Sequence, residues 1–222
     1  MKGRRVFVAG GTGLVGANLT KRLFDEGAAV TASYFSRSPD RLHDHYRRFD
    51  FGQMGDCLAA TKDQEIVFLT AVQASGVQGM KETKTARLLP NLQIHAGLLE
   101  ACAINKVKTV IWVSSSTVYP EAYKPMRETD LDLNTEPYSL YQGMGWLYRY
   151  IEKLAALYRE QMGMNVGVIR TTSIYGPYDQ FDDGKSHVVP AILKRALAKE
   201  DPFVVWGAPG TVRDFIFVDD LV

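Results

Sequence analysis

Apolar positions along the chain switch between two periods. Residues 4–9, RRVFVA, are a short, nearly continuous apolar run, and from Leu14 the period lengthens. Leu14, Val15, Leu19, Leu23 and Phe24 recur at helical spacing through residue 26, where Gly27 supplies a stop. The same switch repeats. AVTASY at 29–34, EIVFLTA at 65–71, VIWVSSS at 110–116 and NVGVIRT at 165–171 read as strands. Between them, Leu88, Leu92, His95, Leu98, Leu99 and Cys102 mark a helix over 86–104, and Met144, Leu147, Ile151, Leu154 and Tyr158 mark one over 140–161. Residues 35–49 are polar and basic, with SRSPD at 36–40 as a loop. Several strands are apolar throughout rather than alternating, which predicts strands buried on both faces. Strands alternating with helices therefore predict an α/β fold with a doubly wound parallel sheet over residues 1–172. From 173 the texture changes to glycine, proline and aspartate loops around one helix, 190–198, which reads as part of a smaller C-terminal substrate region. The end, RDFIFVDDLV, is a strand-like run followed by a helix start, and reads as an interruption in a longer protein.

The first strand runs into GGTGLVG. Gly11, Gly13 and Gly16 fit G-x-G-x-x-G, and Gly10, Gly13 and Gly16 fit G-x-x-G-x-x-G. Strand before and helix after is the context that gives either pattern meaning: a tight turn, a backbone that can approach a pyrophosphate, and free N–H groups at a helix start, here with Leu14 and Val15 inside the motif. A Rossmann-type domain binding NAD usually has an acid at the end of its second strand to hold the ribose diol. Here Phe35, Ser36 and Arg37 follow that strand, and no acid comes before Asp40. A guanidinium pairs with a 2′-phosphate, so Ser36 and Arg37 favour NADP, with NAD as the alternative. Asp50 has two readings, a partner for the adenine amino group or a cap for the next turn.

Composition narrows the partners. The 222 residues carry a formal charge of +1, which gives no support to nucleic-acid binding, and no run of 18 apolar residues suggests a membrane span. Cys57 and Cys102 are too few for a disulfide scaffold and read as core fillers in a reducing, cytoplasmic setting. The histidines at 43, 45 and 95 form no metal-ligand spacing, so no metal is expected.

Longer motifs carry a resemblance. VAGGTGLVG at 8–16, SSSTVYP at 114–120, EPYSLYQ at 136–142, IYGPYDQFDDGKSHVVPAIL at 174–193 and VVWGAPGTVRDFIFVDD at 204–220 together resemble the extended short-chain dehydrogenase/reductases, within them the NAD(P)-dependent nucleotide-sugar epimerase/dehydratase group, and most of all its GDP-L-fucose synthases. The resemblance implies a nucleotide-sugar substrate and a homodimer built through helices such as 86–104 and 140–161. It implies catalytic roles for Ser115 and Tyr138, with a lysine four residues after the tyrosine; that position holds Gln142, which the resemblance also places on the cofactor. A proton-moving cysteine falls on Thr117, and a proton-moving histidine on His187. Arg195, Trp206 and Arg213 fall on positions that hold the sugar nucleotide, and Ser115 and His187 also face it.

The glutamine changes the expected chemistry. An amide can hold ribose hydroxyls as a lysine does, but it brings no charge to favour a phenolate. Moving a tyrosine from about 10 toward neutrality asks for about 4 kcal/mol. Ketone reduction needs the phenol as acid and alcohol oxidation needs the phenolate as base, so a site without the lysine is less damaged as a reductase. Three functions follow: an NADP-dependent reductase or epimerase/reductase of a nucleotide-linked 4-keto-6-deoxy sugar; an NAD-dependent nucleotide-sugar epimerase; or a sugar-nucleotide-binding protein with little catalysis. A further explanation of Gln142 is an engineered replacement of lysine.

Overall fold

The computed structural model describes residues 1–39, 43–73, 85, 87–122, 124–182, 186–205, 210 and 212–222. Its elements run in the order β1 (Arg5–Ala9), α1 (Leu14–Asp25), β2 (Ala29–Tyr34), β3 (Tyr46–Arg48), α2 (Met54–Thr61), β4 (Ile66–Leu69), α3 (Leu88–Ile104), β5 (Thr109–Ser115), α4 (Gln142–Met162) and β6 (Asn165–Thr171). Then come β7 (Ser173–Tyr175), α5 (Val188–Leu197), β8 (Phe215–Phe217) and α6 (Val218–Leu221). Six strands form one sheet in the order β3-β2-β1-β4-β5-β6, and every pair in it is parallel. β7 and β8 pair in a separate two-stranded sheet.

Alternation along β1 explains why the strand is apolar throughout. Val6 and Val8 pack with Leu19, Leu23 and Val30 on the α1 side. Phe7 and Ala9 face the other side, where Val67, Leu69, Leu98, Leu99, Val110, Trp112 and Ile151 form the larger core with α2, α3 and α4. Cys57 and Cys102 are buried free thiols in that core. At its centre, His95, Trp112 and Tyr148 meet edge to face with ring centres 5.4–5.7 Å apart. The Trp112 indole donates to His95 Nδ1 at 3.2 Å, and burial pushes this histidine down to about 4.

The chain starts at β1 in mid-sheet, winds outward through β2 and β3, and returns to the other side of β1 with β4. The order thus reverses between β1 and β4, opening a crevice at their carboxyl ends, where open α/β sheets bind ligands. Two elements in this half were not legible: β3 lies inside the polar, basic stretch 35–49, and α2 was not delimited. One boundary also moves. The long helix begins at Gln142 rather than at 140, and Ser139–Tyr141 form a separate 3₁₀ turn, so Tyr138 lies outside the helix. Gln142 and Tyr138 are consequently not stacked as i and i+4 on one helix.

Candidate active site

The glycine loop sits at the mouth of the crevice. Gly10 has φ +84°, and a Cβ there would come within 2.6 Å of the Ala71 Cα across the crevice. A Cβ on Gly16 would stand 2.1 Å from the Gly10 carbonyl oxygen, so helix α1 can start this close to the strand only with glycine at 16. Neighbouring strands fix the loop: Gly10 N–H donates to Ser33 Oγ at 2.8 Å, and the buried Tyr46 hydroxyl donates to the Gly11 carbonyl at 3.0 Å. These two anchors carry no sequence motif. Gly13 caps α1 without a side chain, leaving the first-turn N–H groups of Leu14 and Val15 free of side-chain caps. The cradle fits a dinucleotide pyrophosphate.

Beside this loop lies a cleft of about 220 Å³ lined by Gly11, Thr12, Lys21, Arg37, Ser38 and Tyr178, among others. Arg37 therefore shares a wall with the glycine loop, as a 2′-phosphate partner requires, while Lys21 in the same cleft is paired with Asp25 at 2.5 Å. Ser36 is exposed next to it. Asp40 and Arg41 lie outside the described residues. Asp50 accepts from Gly52 N–H at 3.0 Å, which matches its reading as a turn cap.

The second half of the site is held by α4. Ser115 ends β5, and its hydroxyl accepts from Thr117 N–H at 3.2 Å. Thr117 Oγ1 is buried with no partner among the described residues. Tyr138 N–H donates to the Tyr119 carbonyl at 3.2 Å, which ties the Tyr138 segment to the turn after Ser115. Its ring is about one-third exposed and meets Tyr141 edge to face at 5.9 Å.

Two α4 residues one turn apart clamp these segments together. A Cβ on Gly145 would fall 2.5 Å from both the Thr117 carbonyl oxygen and Pro137, so the close approach needs glycine. The buried Arg149 donates through Nε to the Val118 carbonyl at 2.7 Å and through Nη1 to the Thr135 carbonyl, and stacks on Trp146 at 4.7 Å. Sequence reasoning missed both, because an interior glycine and arginine of a long helix carry no distinguishing spacing.

Gln142 does not turn toward Tyr138's hydroxyl by a hydrogen bond. Its Nε2 donates to Glu136 Oε2 at 3.1 Å, and the same oxygen accepts from Trp146 Nε1 at 2.7 Å. Those donors, Gln142 first, hold the exposed Glu136 carboxyl below the usual carboxylate range.

The third component comes from the region after β6. His187 stands at the N-terminus of α5, and its Nδ1 lies 3.3 Å from Asp179 Oδ1. Asp179 pushes the imidazole above the usual histidine value, against the opposing effect of burial. The loop that carries Asp179 is bound to the cofactor side, since buried Asn18 on α1 donates to the Pro177 carbonyl at 2.9 Å. Arg195 forms a forked pair with Glu200, at 2.5 and 2.8 Å, and stacks on Phe203 at 4.7 Å. Arg213 is exposed. Trp206 lies outside the described residues.

A sequence profile of the NAD dependent epimerase/dehydratase family matches residues 6–222. The chain belongs to that family. As an epimerase/dehydratase family member it is an enzyme of a group that works with a nicotinamide dinucleotide, in keeping with the glycine cradle. It is 30% identical to the GDP-L-fucose synthase of Escherichia coli over its whole length, spanning 68% of that protein. It is 28% identical to a GDP-mannose 3,5-epimerase of Oryza sativa over 98% of the chain, spanning 59% of that relative. Among solved structures, the UDP-N-acetylglucosamine 4-epimerase of Methanobrevibacter ruminantium superposes on the whole chain with a TM-score of 0.85 at 27% identity, and the chain covers 71% of it.

Proposed function

We propose that this protein is an NADP-dependent reductase, or epimerase/reductase, of a nucleotide-linked 4-keto-6-deoxy sugar, resembling the GDP-L-fucose synthases. The observation that carries it is the wall shared by Arg37 and the glycine loop, since a cation there suits a 2′-phosphate. The likeness to the Escherichia coli enzyme supports the substrate class. The loop with Gly10, Gly13 and Gly16 would hold the pyrophosphate, and Ser36 and Arg37 the 2′-phosphate. When bound, NADPH supplies hydride. The chain's own residues supply the rest. Ser115 donates to the carbonyl oxygen, the Tyr138 phenol gives that oxygen its proton, and His187 moves a proton at the neighbouring carbon. Arg195 and Arg213 bind the nucleotide's phosphates, with Arg195 exchanging Glu200 for the ligand.

The same proposal divides the chain at 172/173 into a dinucleotide-binding domain and part of a substrate-binding region; the separate β7-β8 sheet supports the division. It takes the protein as a cytoplasmic homodimer. Apolar side chains left exposed on α3 and α4, among them Leu89, Tyr150 and Leu157, support a partner surface there. Among the described residues no helix is long and apolar enough to cross a membrane. A second reading, an epimerase that keeps NAD bound, is favoured by the epimerases among the proteins this chain is similar to.

Mass measurement of the nucleotides released from the purified full-length protein tests the choice. NADP, or exchangeable cofactor that binds more tightly as NADPH than as NADH, is the expected result. Stoichiometric NAD retained through purification would replace the reductase with the epimerase.

A further inference from the structure

The histidine reading leaves Asp179 unexplained. Its side chain is 3% exposed, whereas that of His187 is 56% exposed. Oδ1 accepts from Gln180 N–H at 2.8 Å and meets His187 Nδ1 at 3.3 Å. Oδ2 is buried with no partner among the described residues. The backbone places the carboxylate deliberately. Tyr178, just before it, has φ +69°, and Gly176 has φ +148°, where a Cβ would press within 2.5 Å of Val218. A non-glycine residue at positive φ costs of order 1–3 kcal/mol and persists only where its surroundings impose it. A buried carboxylate with half of its acceptor capacity unused is also costly unless a cation faces it. Among the described residues of the adjoining segments, Lys194 of α5 donates to the Phe181 carbonyl at 3.2 Å, Arg195 pairs with Glu200, and Asp182 is exposed.

We infer that Asp179 is the positioning residue for His187, fixing the imidazole through Nδ1 so that Nε2 is the nitrogen that exchanges protons with the sugar. This rests on the proton-carrying role proposed for His187. With Nδ1–H directed at the carboxylate, the neutral ring has its lone pair on Nε2. When Nε2 takes a proton from the carbon beside the ketone, the electron pair moves onto the carbonyl oxygen as an enolate and the ring becomes an imidazolium opposite Asp179; the same nitrogen returns a proton to that carbon as the carbonyl re-forms. The partner explains why an exposed histidine would hold one tautomer and one orientation.

Two measurements on the full-length protein test it. The first is NMR titration of the His187 ring, which needs neither cofactor nor substrate. His187 should titrate above the ordinary value of about 6.5, D179N should bring it down to that value or lower, and D179E should restore part of the shift. A wild-type His187 titrating at or below the ordinary value would overturn the inference without any variant, and so would an unchanged titration in D179N. The second is solvent deuterium incorporation at the carbon beside the ketone. D179N should slow it by on the order of 10-fold or more, leave NADPH affinity unchanged, and add little to the loss in H187N. If the titration moves but incorporation does not, His187 is not the proton carrier and the inference fails. Continued NADPH consumption in that case would show that the reductase reading survives separately.

Discussion

Glu136 and Gln142 set the residue-scale chemistry around Tyr138. The carboxylate accepts from both Gln142 and Trp146, so a lysine introduced at 142 meets a ready anion two residues before Tyr138 in sequence. A lysine held there would spend its charge on Glu136 rather than on a phenolate. Q142K should therefore raise alcohol oxidation near neutral pH more than ketone reduction, but only modestly. Q142K combined with E136Q should raise it further and shift the oxidation pH profile to lower pH. Initial rates in both directions at saturating cofactor check this; an unmoved oxidation profile in the double variant would show that the glutamine is not the limiting feature. Arg37 offers a simpler test. Loss of one charge-assisted contact is worth about 1.5–3 kcal/mol, so R37A should weaken NADPH binding on the order of 10- to 100-fold and leave NADH almost unchanged, as read by calorimetry. Equal losses for the two cofactors would place Arg37 off the 2′-phosphate.

Helix α4 clamps the turn after Ser115 to the segment before Tyr138, and it does so by a glycine and a buried arginine. Adding one methyl at Gly145 forces Thr117 and Pro137 apart, so G145A should lower kcat by more than its effect on thermal stability accounts for, with cofactor affinity retained. An active G145A with wild-type kcat would mean that the spacing of Ser115 and Tyr138 is set elsewhere. α3 carries a different liability in His95. Its folded value is depressed, so between about 6.5 and 4 the unfolded chain binds the proton first. Stability is therefore present above about 6.5 and lost as pH falls toward 4, by on the order of 3 kcal/mol. His187 has the opposite sign: its contribution is present below the ordinary histidine value and fades as pH rises through its raised one. Urea unfolding at stepped pH should show the acid loss, and H95Q, which keeps an acceptor for the Trp112 indole, should flatten it. These elements also show what a sequence reveals. α1, α3, α4 and the apolar strands β1, β4 and β5 were legible because burial imposes a period. β3 was not, because three residues at a sheet edge cannot show one. Gly10, Gly13 and Gly16 were legible from spacing. Ser33, Tyr46, Gly145, Arg149 and Asp179 were not, because each acts through a contact that only the folded chain creates.

At the scale of the whole molecule, the proposed mechanism draws on three separate stretches of sequence. In it the β1–α1 loop would cradle the dinucleotide, the end of β5 and the segment before α4 would supply Ser115 and Tyr138, and the loop after β7 would bring His187 with Asp179. Asn18 bonding the Pro177 carbonyl ties the first of these to the third through α1. The central claim is that the site reduces a keto sugar with Tyr138 as proton donor. The decisive measurement is the initial rate of NADPH consumption by the full-length protein given a GDP-linked 4-keto-6-deoxyhexose, compared with Y138F. The account predicts one NADPH consumed per reduced sugar in the wild type and a rate lower by about 100-fold or more in Y138F. Tight binding of the sugar nucleotide with no NADPH consumed, or an unimpaired Y138F, would contradict it.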